Sequence, residues 1–177
     1  MPSPLIELEH FLPYRISVLA NVMSTAIAAA YEERFGLTIP EWRVIAVLTR
    51  YPGLSAREVA EKSRMDAVAV SRAVNRLLRA GRLRRAIAAQ DRRRSVLQVS
   101  DAGAAVYREV APLALEFERG LRESISVAEA AQLDRVLAVL TARAETLSAT
   151  LRLDRGPARK RATPAGRGRA TRRPSRR

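Results

Sequence analysis

The chain of 177 residues contains no cysteine, which excludes disulfides, thiolate metal sites and cysteine-based redox sensing. It has a single histidine, His10, so no His-based dyad or triad and no two-His metal site can form within one chain. A glycine-rich phosphate loop is also missing, because Gly166-x-Gly168 stands in an arginine-rich C-terminal stretch. Paired acids such as Glu32-Glu33 read as helix surface. Catalysis therefore has no support, and neither a metal nor a cofactor is implied. Aromatic residues make up only 5% of the chain. Ala, Leu and Val carry most of the apolar content, which favours helix packing over a β-sandwich. No apolar run approaches the length that spans a bilayer; Ala26 to Tyr31 and Val136 to Leu140 are both short. Met1 to Leu12 is acidic and lacks the basic start of a signal peptide. The expectation is a cytoplasmic protein with no membrane partner.

What the chain has in excess is positive charge, +14 in total, and its placement says more than its sum. From Arg155 to Arg177 there are ten Lys/Arg and no acids; from Lys62 to Arg94 there are eleven basic residues against Asp66 and Asp91. The remaining residues are mildly acidic together. A basic stripe on an acidic body is the footprint of a nucleic-acid face.

Residues 12–35 carry Ile16, Leu19, Met23, Ile27, Ala30 and Tyr31 at helical spacing, with Pro13 in the first turn and Gly36 as a C-terminal stop. Pro40 opens a second helix expected to bury Trp42, Ile45, Ala46 and Leu48 before Pro52-Gly53 ends it. Ser55-x-x-Glu58 is a capping box for a third helix at about 55–62. Asp66 is a good N-cap for a fourth, which Gly81 stops. Arg82 to Ile87 and Ser95 to Val99 read as two short strands joined by residues 88–94. Ser100 caps a helix through Val106, Val110, Leu113, Phe117 and Leu121, which Pro112 should kink or locally open in its hydrogen bonding. Ser126-x-x-Glu129 starts a last helix with Leu133, Val136, Leu137, Leu140, Ala144, Leu147 and Leu151 on one side. The segment from Arg155 onward has no large apolar residue and is expected to be disordered.

The third and fourth helices and the hairpin form a constellation suited to duplex DNA. At 100° per residue, Val70, Val74, Leu77 and Leu78 face the core, while Val68, Ala69, Arg72, Asn75, Arg76 and Arg79 face outward with Ser71 at the flank. The outer face offers donors at major-groove reach and small apolar groups able to meet a thymine methyl. Val68 to Arg72 should read base edges, and Arg76 and Arg79 should hold phosphates. Arg92, Arg93 and Arg94 repel one another at the hairpin tip, and an A·T-rich minor groove supplies the negative potential that gathers them. Asp91 would orient them; which arginine enters the groove stays open.

Leu54-Ser55-x-x-Glu58-Val59-Ala60, Met65-Asp66-x-x-x-Val70-Ser71-Arg72-x-Val74-x-x-Leu77-x-x-x-Gly81 and Asp91-Arg92-Arg93-x-Ser95-Val96-Leu97-x-Val99-Ser100-x-x-Gly103 together resemble the MarR family of winged helix-turn-helix regulators. The resemblance runs from about Phe11 to Leu151. It implies a homodimer whose first and last helices interlock, with recognition helices in successive major grooves of a pseudo-palindrome. It also implies a ligand-released repressor with its effector site between the dimerisation helices and the winged domain. There Tyr14, Arg15, Trp42 and Arg43 would gather, and an arginine beside aromatic surface suits an aromatic carboxylate or its thioester. The absence of cysteine sets the chain apart from the family's thiol-based peroxide sensors, and the arginine-rich tail is not part of the family pattern.

The expected architecture is mainly α with a small antiparallel β-hairpin wing: a winged helix-turn-helix plus terminal dimerisation helices. Residues 1–36 would be the N-terminal dimerisation region, 37–100 the DNA-binding domain, 101–153 the C-terminal dimerisation helices and 154–177 a disordered basic tail. The functional expectation is a sequence-specific transcriptional regulator on double-stranded DNA in the nucleoid. The alternative is an architectural protein that binds duplex without sequence choice, for which the tail is the best feature.

Overall fold

The computed structural model describes residues 4–88 and 91–154, without the side chains of Ala88, residues 91–94 and residues 151–154. The expected disordered tail lies outside the described residues. The chain divides after Ser124 into two units.

In the first unit, α1 (Leu12–Ala29) begins without a side-chain cap but with proline in its first turn, and buries only Ala28. The single helix expected over 12–35 is in fact two. The chain breaks at Ala30–Tyr31 and resumes as α2 (Glu32–Phe35), which ends on Gly36 in the left-handed conformation. The break lets the Tyr31 side chain drop into the core, where it is fully buried. No glycine or proline marks that position.

Helix α3 (Ile39–Arg50) starts at a capping box of Thr38 and Glu41 and buries Glu41, Val44, Ile45 and Leu48. Trp42 and Ala46, expected in the core, are half-buried instead. Helix α4 (Ala56–Ser63) starts at the Ser55–Glu58 box, and α5 (Ala67–Arg79) at Asp66, whose carboxylate accepts from Ala69 N at 2.8 Å. Leu54 lies just before α4 and bridges to Leu97. The α4–α5 turn is made by Arg64 at φ 54, a left-handed position for a residue with a side chain.

Strands β1 (Leu83–Ala88) and β2 (Asp91–Val99) form an antiparallel hairpin running from Leu83 opposite Val99 to Ile87 opposite Ser95. The ladder then shifts so that Ala88 pairs with Asp91, leaving 92–94 unpaired as a bulge. The first strand keeps its expected length, shifted by one residue; the second is longer than expected, and the arginine run belongs to β2 rather than to a free loop. Leu83 and Leu97 seat the hairpin on the core made by α3, α4 and α5.

Helix α6 (Asp101–Glu123) is capped by Ser100 and continues through Pro112 without interruption. Its first half buries Gly103, Val106 and Val110. Gly103 is required there, because a Cβ would lie 2.2 Å from the Arg82 carbonyl oxygen. Arg82 also donates to the Phe35 carbonyl (2.6 Å), and Arg34 pairs with Glu109, so α2 is fastened to the hairpin base and to α6.

The second unit, taken by itself, is α7 (Val127–Asp154), opened by the Ser126–Glu129 box. The Ser126 hydroxyl, and then its backbone N–H, hold the Glu129 carboxyl below its ordinary range. Among the described residues no helix is long and apolar enough to cross a membrane.

Candidate nucleic-acid interface and the adjoining cavity

A helix presents a face only if its other face is fixed, and α5 meets that condition. Val70, Ala73, Val74 and Leu77 are buried, with Leu78 half-buried at the margin. Val68, Ser71, Arg72, Asn75, Arg76 and Arg79 are exposed, and Ala69 is half-buried. The structure therefore brings these seven sequence-predicted residues onto one outward face. Its polar groups are not equivalent. Among the described residues Arg72 has no ion-pair partner, and Arg79 donates to its own helix at the Asn75 carbonyl (3.3 Å). Arg76 is held by Glu41, with Nε 3.0 Å from Oε1.

The second element of this interface is the hairpin. Arg84 and Arg85 on β1 are exposed, and Arg84 donates across the ladder to Gln98 (3.2 Å). The backbone bulge at 92–94 carries the arginine run, and the side chains of Asp91, Arg92, Arg93 and Arg94 lie outside the described ones.

A cavity of about 330 Å³ opens between α1 and α3, lined by Ala20, Met23, Ser24, Ile27, Tyr31, Ile39, Trp42 and Arg43. Helical spacing explains the α1 wall, since residues 20, 23, 24 and 27 lie on one face; Tyr31 joins them from the break after the helix. Trp42 stacks on Tyr107 and tilts against Tyr31, each with ring centroids 5.7 Å apart. Arg43 donates to Ser24 Oγ at 2.8 Å, which fixes the guanidinium at the cavity mouth. Burial pushes the Tyr31 hydroxyl up to about 12, with Arg43 opposing the shift and Glu32 adding to it, so the phenol stays a neutral donor. An apolar cavity with an aromatic wall, one guanidinium and one phenol can take a flat anion.

Of the four residues expected at an effector site, the structure places Trp42 and Arg43 on this cavity. Tyr14 and Arg15 are exposed in the first turn of α1 and do not line it. Sequence reasoning missed Ser24, although the period of α1 carries it, and Tyr31, which the break after α1 turns inward. It also missed Glu41, whose signal was the Thr38-x-x-Glu41 spacing of a capping box.

The model of the MarR family matches residues 35–94, from the end of α2 to the arginine run of β2. A MarR/EmrR family transcriptional regulator from Acinetobacter sp. ADP1 is 27% identical and superposes with a TM-score of 0.73, covering 80% of this chain and 99% of that one. The PcaV transcriptional regulator from Streptomyces coelicolor, solved in complex with its natural ligand, is 23% identical at a TM-score of 0.66, covering 80% of this chain and 99% of its own. The MepR–DNA complex from S. aureus gives 20% identity and a TM-score of 0.69, over 76% of this chain and 97% of that one. No curated protein matches the chain in sequence. The matched segment, the wing and the outward face of α5 agree: residues 35–94 match the MarR family, and the chain has the winged helix-turn-helix fold of MarR-type DNA-binding transcriptional regulators.

Proposed function

We propose that the protein is a homodimeric repressor that binds a pseudo-palindromic operator and is released by a small aromatic acid. The observation that carries this reading is the outward face of α5, where Arg72, exposed and without an ion-pair partner among the described residues, stands beside Val68, Ala69 and Ser71 above a fully buried stripe. Such a face reads base edges, because its donors and methyl groups are fixed relative to the core. The hairpin arginines, Asp91 with Arg92, Arg93 and Arg94, are assigned to the flanking minor groove. Asn75, Arg76 and Arg79 are assigned to the backbone.

The cavity supports the effector part. It is large enough for one aromatic ring with its carboxylate, which favours the free acid over its thioester. Arg43 would pair with the anion and Trp42 would stack on the ring. Ile39, Trp42 and Arg43 form one side of the first turn of α3, and the other side grips Arg76 through Glu41. Occupation of the cavity thus bears on the DNA face. Support also comes from the PcaV structure, which holds a ligand, and the MepR structure, which holds DNA.

Two experiments test the reading. Arg72→Ala is expected to relax preference at one position of each half-site by about 1–3 kcal/mol. Equal loss on the preferred and a random duplex would remove Arg72 from base readout. Benzoate and its hydroxylated relatives are expected to change the fluorescence of Trp42, the single tryptophan of the chain, and Arg43→Ala to abolish that change. A response that survives Arg43→Ala would place the anion elsewhere.

A further inference from the structure

Glu41 is the one buried charged residue among the described residues of the core, at 5% exposure. A buried carboxylate must have its oxygens satisfied. Oε2 accepts from Thr38 N at 2.8 Å and from Thr38 Oγ1 at 2.7 Å, which completes the capping box of α3. Oε1 faces the other way and meets Arg76 Nε at 3.0 Å, and Arg76 Nη2 reaches Thr38 Oγ1 at 3.4 Å. The capping role alone does not require a carboxylate, since glutamine performs it equally. Nor does it require burial: the Ser126–Glu129 box closes with the same distances at the surface. The acid at position 41 has a second task, directed at α5.

We propose that Glu41 is a specificity-determining residue of the DNA interface that touches no DNA: from beneath the α5 face it fixes the Arg76 guanidinium in one position. This rests on the reading of α5 as the DNA-reading face. Arg76 is only half withdrawn from solvent, its side chain 52% exposed, so one edge of the guanidinium is held while the rest stays open to a phosphate. An arginine on a flexible stem loses rotamer freedom when it binds; one already held by its Nε has lost it beforehand. A phosphate contact fixed in this way sets the register of the helix on the duplex. An arginine set loose adds charge without register, and charge alone raises affinity for every sequence. Glu41 is therefore a positioning residue acting through Arg76, and its effect falls on the ratio between preferred and random DNA.

The test uses the full chain, its preferred duplex from a randomised pool, a random duplex, and the variants Glu41→Gln, Arg76→Ala and the pair combined. Glutamine keeps the capping box and presents no charge to Arg76. The expected result for Glu41→Gln is a fall of about tenfold in the preferred-to-random ratio, with binding to random duplex no weaker than in the wild type. In the Arg76→Ala background the same substitution is expected to leave the ratio unchanged. If Glu41→Gln does not fold, Arg76→Lys carries the test. It keeps the charge, loses the fork and leaves Glu41 in place, and the same fall in ratio is expected. Equal losses on both duplexes, an unaltered ratio, or the same fall without Arg76 would each overturn the proposal. A wild-type chain that selects no sequence at all would instead overturn the reading beneath it, and the proposal with it.

Discussion

Helix α5 has thirteen residues and buries four, all on one stripe; α1 has eighteen and buries Ala28 alone. Yet α1 is not a polar helix. Ile16, Val18, Leu19 and Val22 are all exposed, Leu19 at 58% and Val22 at 61%. Within α7, Leu133, Val136, Leu137, Val139 and Leu147 are exposed as well. The winged module completes its core inside one chain, whereas the end helices, each taken by itself, keep apolar side chains that are exposed among the described residues. Each such side chain fully withdrawn from water stabilises by about 1.5–3 kcal/mol. In the proposed dimer a second copy would supply that burial and set two recognition helices at a fixed spacing. On that proposal one region would carry the chemistry of reading and the other the geometry of the half-sites.

Helix α6 contains both behaviours, so the sharpest break of the comparison lies there. Gly103→Ala drives a methyl group into the Arg82 backbone, where neither partner can yield. We expect a loss of about 3 kcal/mol or more in urea unfolding. Gly120 in the same helix has open space around it, so Gly120→Ala is expected to stabilise slightly. Comparable effects at the two positions would remove the distinction between the seated and the open half of α6.

The second break concerns association. Leu19→Glu with Val22→Glu is expected to convert a dimer to a monomer in analytical ultracentrifugation without lowering helix content. A wild-type chain that sediments as a monomer at micromolar concentration would take the end helices out of the account.

The smallest effect is confined to alkaline pH. Burial pushes the Tyr31 hydroxyl up to about 12 in the folded chain, above the 10.0 of a free phenol, so folding favours the neutral form. That contribution is complete below pH 10 and is lost as pH rises toward 12, amounting to about 2–3 kcal/mol. Measured by urea unfolding, the wild type should lose stability relative to Tyr31→Phe across this range. Parallel curves would mean that the phenol is hydrated in the folded chain.

The outward face of α5 was legible in the sequence because its signals are local: an aspartate cap, a 3.6-residue period and a glycine stop. Ala73 escaped the expected core because alanine sits on either face with little bias. The break at Ala30–Tyr31 was not legible, since it is imposed by the docking of Tyr31 against Trp42 rather than by a breaker residue. Trp42 looked like core for its size, but it forms a cavity wall whose far side belongs to α1. The start of β2 at Asp91 comes from its pairing with Ala88 across the hairpin, against the low strand propensity of aspartate. The contact between Glu41 and Arg76 spans 35 positions, and no periodicity relates the two residues.

The most direct test of the central claim is selection from a randomised duplex pool at near-physiological salt, with the full chain and with a version ending at Asp154. The account predicts enrichment of one inverted repeat, with half-site centres about one helical turn apart, retained by the shorter version. No enriched sequence, together with loss of binding on removing residues 155–177, would contradict it and make the basic tail the main DNA-binding element.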